Sequence, residues 1–228
     1  NKRICPWVDT MSADNDEPAS EVGISFVVTG FGPFRNSKDN PTTVISNKLK
    51  DYVKDSNLDL LLTTTLVIET SAEAARHETD QLKQHIHSQE GRTTVLLHLG
   101  VNFTATHFQL EQCAYNEAHF RIPDEKGYQP RNKKVIDGCD PILTTRLDVE
   151  KLQKDIGLDS VVVSTDPGRF VCNYTYFCSL SKLQQHDNNV YSLFLHVPPF
   201  SKVPEEEQLQ IVTLVMEGIC KQLVAVEA

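Results

Sequence analysis

Along most of this chain, short runs of apolar and β-branched residues alternate with longer segments whose apolar residues recur every three or four positions. That alternation restricts the fold more than any other feature, because the first pattern suits a buried strand and the second lays one apolar stripe along a helix. Ile24–Thr29 is such a strand run, leading into the loop Gly30-Phe31-Gly32-Pro33-Phe34. Asn40-Pro41 then offers a helix cap with proline at the first helical position, and Ile45, Leu49 and Tyr52 keep one face apolar. Leu60–Val67 reads as a second strand, Ser71–Ser88 as a helix opened by a serine cap, and Thr93–Leu99 as a third strand ending at Gly100.

Further on, a strand is predicted at His107–Cys113, followed by an extended excursion through Pro123, Gly127, Pro130, Gly138 and Pro141 that has room for a hairpin. Asp148–Ile156 is predicted as a helix, Ser160–Ser164 as a strand, Arg169–Gln184 as a helix and Val190–Val197 as a strand. In the last segment, Pro204 and three glutamates suit the positive end of a helix, and Leu209, Val212, Met216, Ile219 and Leu223 share one face. The fold class that follows is α/β, a three-layer α/β/α arrangement around an open, mostly parallel twisted sheet with right-handed crossovers. Residues 1–22 are polar and without period, and read as a flexible N-terminal extension; residues 23–228 read as a single α/β domain.

Composition narrows the function classes. A net charge of −9 without a Lys/Arg cluster disfavours nucleic acid and anionic membrane as partners. No apolar run approaches the ~20 residues that span a bilayer. Six cysteines without C-x-x-C spacing fit free thiols in a reducing compartment, so the expected location is the cytoplasm. His77, His85, His87 and His98 form no ligand spacing with carboxylates, and neither a metal nor a cofactor is expected. The oligomeric state, a homo-oligomer included, is left open.

In open α/β sheets, sites gather at the carboxyl ends of strands, and the predicted elements place Cys172 and His196 there. Cys172 falls in the opening turns of the predicted helix, where free N–H groups and the helix dipole favour a thiolate, and His196 ends the next strand. Adjacent strands of a β-α-β unit are expected to bring the two within reach, as the pair of a cysteine hydrolase working by acyl transfer. Taken by themselves, a cysteine in a helix is also a small core hydrophobe, and a histidine after Leu193-Phe194-Leu195 a satisfied core residue.

Four separated blocks sharpen that choice. Val28-Thr29-Gly30-Phe31-Gly32-Pro33-Phe34 with Asn40-Pro41 resembles the opening signature of the pyroglutamyl peptidase I (pyrrolidone-carboxylate peptidase) family of cysteine peptidases. Leu110-Glu111-Gln112, Asn116, Arg121-Ile122-Pro123-Asp124 and Gly127 resemble its middle region, Asp166-Pro167-Gly168-Arg169-Phe170-Val171-Cys172-Asn173-Tyr174 its nucleophile motif, and Leu195-His196-Val197-Pro198-Pro199 its histidine motif. The resemblance covers residues 24–225 and implies removal of an N-terminal pyroglutamyl residue from peptides. It puts the nucleophile on Cys172, the general base and acid on His196 and the orienting carboxylate on Glu111, with Glu117 as a fallback. Phe31 and Phe34 match ring-contacting aromatics, suited to a flat neutral lactam. Asn40 is expected to cap its helix, order the binding loop, or both, while Phe170 and Val171 would line the pocket or present backbone groups to the lactam.

Two departures bear on rate. Pro167 stands where alanine is common and removes an N–H, and Val101–Thr106 lacks an arginine that many bacterial members carry and that assists the oxyanion. The alternatives are a weak or silent homologue that binds pyroglutamyl peptides, a broader cysteine amidase, and a nucleotide site at Gly30-Phe31-Gly32. The last is disfavoured because Arg35 replaces the third glycine and Pro33 removes a donor.

Overall fold

Strand-forming runs that carry apolar side chains on both faces must be covered on both faces, and the layers follow from that. The computed structural model describes residues 23–35, 40–55, 61–87, 92–184 and 187–227. The predicted extension, residues 1–22, and the predicted end residues Leu60 and Ser88 lie outside them. The elements are β1 (Ile24–Phe31), α1 (Pro41–Asp55), β2 (Leu61–Ile68), α2 (Ala72–His87), β3 (Thr93–Val101), β4 (Phe108–Glu111), β5 (Cys113–Tyr115), β6 (Ile142–Thr144), α3 (Val149–Ile156), β7 (Val161–Ser164), α4 (Val171–Ser179), β8 (Val190–Val197) and α5 (Glu205–Glu227).

Six strands form one sheet in the order β2-β1-β3-β8-β4-β7, and β5 pairs with β6 apart from it. Every pairing in the large sheet is parallel except that of β4 with β8. Helices α1, α3 and α5 cover one face and α2 and α4 the other, which is the expected three-layer α/β/α fold.

Period-two alternation decides what each strand offers the site. On β8, Leu193, Leu195 and Val197 join Leu209, Val212, Met216 and Ile219 of α5 in one apolar cluster. Each fully buried aliphatic side chain of this kind contributes about 1.5–3 kcal/mol. The intervening Ser192, Phe194 and His196 meet Ser179, Tyr176 and Cys172 of α4. On β4, Phe108 and Leu110 face the α5 side, leaving Gln109 and Glu111 for the α4 side.

Three predicted elements differ. Strands β7 and β8 are not neighbours: β4 lies between them, antiparallel to β8, so the segment joining Cys172 to His196 is no parallel β-α-β unit. The single strand predicted at His107–Cys113 divides at Gln112, whose N–H donates to Ser164 O at 2.7 Å and whose carbonyl accepts from Thr145 N at 3.1 Å, releasing the chain into a second ladder. The helix predicted from Arg169 begins at Val171 and turns into one π turn, Leu180–Gln184.

The excursion of residues 116–141 contains one isolated bridge, Ala118 with Lys133, and is organised by side chains. Buried Asn116 accepts from Val135 N and Ile136 N at 2.9 and 3.0 Å and donates to Ile136 O and Cys139 O at 2.8 and 3.2 Å. Asp124 accepts from Lys126 N and Tyr128 N, at 3.0 and 2.8 Å, and its other oxygen accepts from Ala72 N at 2.9 Å at the start of α2. A carboxylate at a helix N-terminus meets unpaired N–H groups and the positive end of the dipole, so Asp124 pins the excursion to α2.

Candidate active site

His196 is the centre of the site. Its Nδ1–H donates to Glu111 Oε1 at 2.7 Å, with Glu111 fully buried and His196 nearly so. The Cys172 thiol stands on the other side of the ring, over Gly100, which pairs with His196, and close enough to the imidazole to raise its pKa. Burial pulls the pKa of His196 down, but the hydrogen bonds to Cys172 and Glu111 and their charges outweigh it and raise it from 6.5 to about 9. An imidazole held protonated beside a carboxylate and a thiol can stabilise sulfur as a nucleophile and later hand a proton to a leaving group. Glu117, the fallback carboxylate, is instead paired with Arg169 at 3.3 Å.

Cys172 is the second residue of α4 and partly exposed. Phe170 occupies the N-cap with extended backbone (φ −96°, ψ −161°) and supplies no side-chain cap, so the first N–H groups of α4 are left for other partners. Gly100 lies across from His196 in the β3–β8 ladder, and a Cβ there would stand 3.0 Å from Cys172 Sγ and 2.6 Å from Phe194 Cζ. Only glycine lets sulfur approach that strand. The turn before α4 forms without a donor at Pro167: Gly168, at φ 76°, gives its N–H to Asp166 Oδ1 at 3.1 Å. The donor lost to proline therefore lies outside the first turn of α4.

Beside this triad the aromatic side chains divide. The half-buried rings of Phe34 and Phe170 meet at 5.4 Å between centroids, and Phe120 backs Phe170 edge-on at 4.7 Å. Phe31 is buried against Phe194 at 6.4 Å, and Phe194 in turn contacts His196 at 4.8 Å. Val171 is fully buried, which leaves only its backbone to face a ligand. Asn40 performs both expected tasks: its Oδ1 accepts from Thr42 N at 3.1 Å to cap α1, and its Nδ2 donates to Gly32 O at 3.0 Å to order the loop. The excursion closes over this loop, since Glu125 Oε1 accepts from Arg35 N at 2.9 Å, holding Arg35 at φ 54°.

Asn102 occupies the stretch without an arginine. Its Nδ2 donates to Gln109 Oε1 at 2.8 Å and its N–H to Val197 O at 2.9 Å, so it braces β3 against β4 and β8. His98 shares a face with Gly100, but burial lowers its pKa to about 4 and Thr29 Oγ1 lies 2.7 Å from Nδ1, so it is a neutral structural histidine. Among the described residues no group of three His, Cys, Asp or Glu side chains is placed to hold a metal ion, and no helix is long and apolar enough to cross a membrane. Sequence reading did not single out Gly100, Phe120 and Tyr176. The signals were present in part: Gly100 ends a strand run, and Tyr176 stands four residues after Cys172, on the same side of the helix.

A sequence profile of the pyroglutamyl peptidase family matches residues 24–227. Pyroglutamyl-peptidase 1 of Homo sapiens is 29% identical over 187 residues, which is 80% of this chain and 83% of the human protein. Pyrrolidone-carboxylate peptidase of Thermococcus litoralis is 26% identical over 174 residues, 75% of each chain. Among solved structures, the pyrrolidone carboxyl peptidase of Thermus thermophilus superposes with a TM-score of 0.69 at 27% identity, over 85% of this chain and 99% of that one. A mutant of the Pyrococcus furiosus enzyme gives 0.74 at 23% identity, over 87% and 99%, a likeness of fold.

Proposed function

We propose, from the premise that the chain belongs to the pyroglutamyl peptidase family, that it hydrolyses the bond after an N-terminal pyroglutamyl residue with Cys172 as nucleophile, His196 as proton carrier and Glu111 as the carboxylate that orients it. One observation carries the assignment: His196 is hydrogen-bonded to Glu111 at 2.7 Å and has the Cys172 side chain as its other polar neighbour, the two together raising its pKa.

The sulfur of Cys172 attacks the carbonyl carbon of the pyroglutamyl residue, and the first N–H groups of α4, around Val171 and Cys172, receive the developing oxyanion. His196 then gives its Nε2 proton to the departing amine, so the peptide leaves neutral and a thioester remains on Cys172. The now neutral His196 takes a proton from water as it attacks the thioester, which releases pyroglutamate and restores the ion pair. Phe34 and Phe170 flank the lactam ring, with Phe31 at its inner edge and Asn40 holding the loop that carries Phe34. Apolar walls favour a neutral lactam over a free α-ammonium, whose desolvation would go unpaid. The excursion pinned by Asp124 and Glu125 closes the far side, so only a chain terminus enters. A nucleophile that must remain a thiol suits a reducing compartment, the cytoplasm, with peptides as the substrate partner.

The test is release of a fluorescent amine from pyroglutamyl, glutamyl and prolyl conjugates in reducing buffer. Turnover of the pyroglutamyl conjugate alone, abolished in Cys172→Ala, is the expected result. Folded protein without turnover, or activity surviving in Cys172→Ala, would contradict the assignment.

A further inference from the structure

The carboxylate of Glu111 is held by very little. Oε1 accepts from His196, whereas Oε2, fully buried, has no hydrogen-bond partner among the described residues. A buried carboxylate with one partner relies on its backbone, and Glu111, the last residue of a four-residue strand, pairs with Ser164 of β7 and Phe194 of β8 just before the chain leaves the sheet. There the hydroxyl of Tyr176 donates to the Glu111 carbonyl at 2.9 Å.

Tyr176 is placed to do more than satisfy a carbonyl. It stands on α4 one helical turn after Cys172, a spacing that puts both residues on one side of the helix. Its fully buried ring packs on Phe194 at 5.8 Å between centroids, and Phe194 packs on His196 at 4.8 Å. A second tie reinforces the first: Asn173 accepts from Tyr115 N at 2.7 Å and donates to Tyr115 O at 2.9 Å, clasping the chain just beyond Glu111.

We infer that Tyr176 is a positioning residue that locks the strand bearing Glu111 to the helix bearing Cys172, so that the carboxylate, imidazole and thiol stay aligned as one unit. Burial raises the Tyr176 pKa well above 10, which keeps its hydroxyl a donor throughout the working pH range. The inference rests on the roles proposed above for Cys172, His196 and Glu111.

The experiment compares wild type with Tyr176→Phe, which keeps the ring and removes the donor, and with Tyr191→Phe, on the opposite face of the strand carrying His196. Two readouts are taken: steady-state kinetics on a pyroglutamyl conjugate against pH, and the downfield proton resonance of the His196 Nδ1–H bonded to Glu111. Tyr176→Phe is expected to lower kcat about tenfold, the loss of one buried hydrogen bond. KM should be unchanged, the alkaline limb of kcat/KM should move to lower pH, and the resonance should shift upfield or broaden, while Tyr191→Phe keeps wild-type behaviour. If Tyr176→Phe only lowers Tm and retains wild-type kcat, pH profile and resonance, the inference is overturned while the peptidase assignment stands. The resonance separates the two claims: an inactive wild type would refute the assignment, and the resonance alone would then decide whether Tyr176 aligns the pair. Should Tyr176→Phe not fold, 3-fluorotyrosine placed at position 176, which keeps the ring and the hydroxyl but alters the strength of its bond to the Glu111 carbonyl, is read the same way: a shifted resonance and pH profile support the inference, and unmoved ones overturn it.

Discussion

At the scale of single residues, the site depends on one protonated imidazole and the space around one sulfur. Because the neighbours of His196 raise its pKa to about 9, the ion-paired form is lost as pH rises through that value, and the alkaline limb of kcat/KM is expected near pH 9. Glu111→Gln removes one of the anions responsible. The limb should then move toward 6.5, and kcat/KM should fall by about 10⁴-fold, the loss seen when an orienting carboxylate becomes its amide. A pH profile of both proteins checks this; an unmoved limb would mean that Glu111 does not set the imidazole's charge. Gly100→Ala tests the second dependence. A methyl group 3.0 Å from Sγ and 2.6 Å from Phe194 must push one of them aside, and a displacement near 1 Å costs about 100-fold in rate. Retained activity in Gly100→Ala would show that the sulfur works from elsewhere.

At the scale of elements, the excursion and α4 do the positioning, and here the sequence was least legible. Strands and helices with a clear period were readable to within about two residues: α1 with its Asn40 cap, β3, β8 and α5 stand where their patterns placed them. The excursion has no period because its order comes from buried side chains, Asn116 and Asp124, that bond to backbone far along the chain. Likewise the insertion of β4 between β7 and β8 is a matter of long-range pairing, which local propensity does not encode. Asp124→Ala should therefore affect binding through architecture, removing the acceptor for Ala72 N at the start of α2, beside the Ser71 cap, and two turn bonds. A loss of about 1–3 kcal/mol in stability is expected, with KM for the pyroglutamyl conjugate rising more than kcat falls. Thermal denaturation beside steady-state kinetics measures both, and an unchanged KM would argue that the excursion does not wall the pocket.

At the scale of the whole molecule, two buried histidines set opposite limits on stability. His98 has its pKa lowered to about 4 by burial, so the unfolded chain binds a proton more readily, and stability is lost as pH falls from 6.5 through 4. His196 has its pKa raised to about 9, so its contribution is complete below 6.5 and lost as pH rises through 9. Urea unfolding across this range should show a dome, and His98→Gln should flatten its acid side by on the order of 3 kcal/mol; an unaltered acid slope would show that other groups govern it. The proposed catalytic pair was legible because Cys172 and His196 sit in compact motifs. Their geometric partner Glu111 was legible only through resemblance to the family, since a carboxylate at a strand end has no local signature of burial.

If one cysteine, Cys172, reacts with a pyroglutamyl carbonyl, treatment with a pyroglutamyl chloromethyl ketone followed by intact-mass analysis will reveal it. One adduct per chain is expected, mapped to Cys172, slowed by a competing pyroglutamyl peptide, and absent from Cys113, Cys139 and Cys178. Labelling of another cysteine, or turnover that persists while Cys172 stays unlabelled, would contradict it.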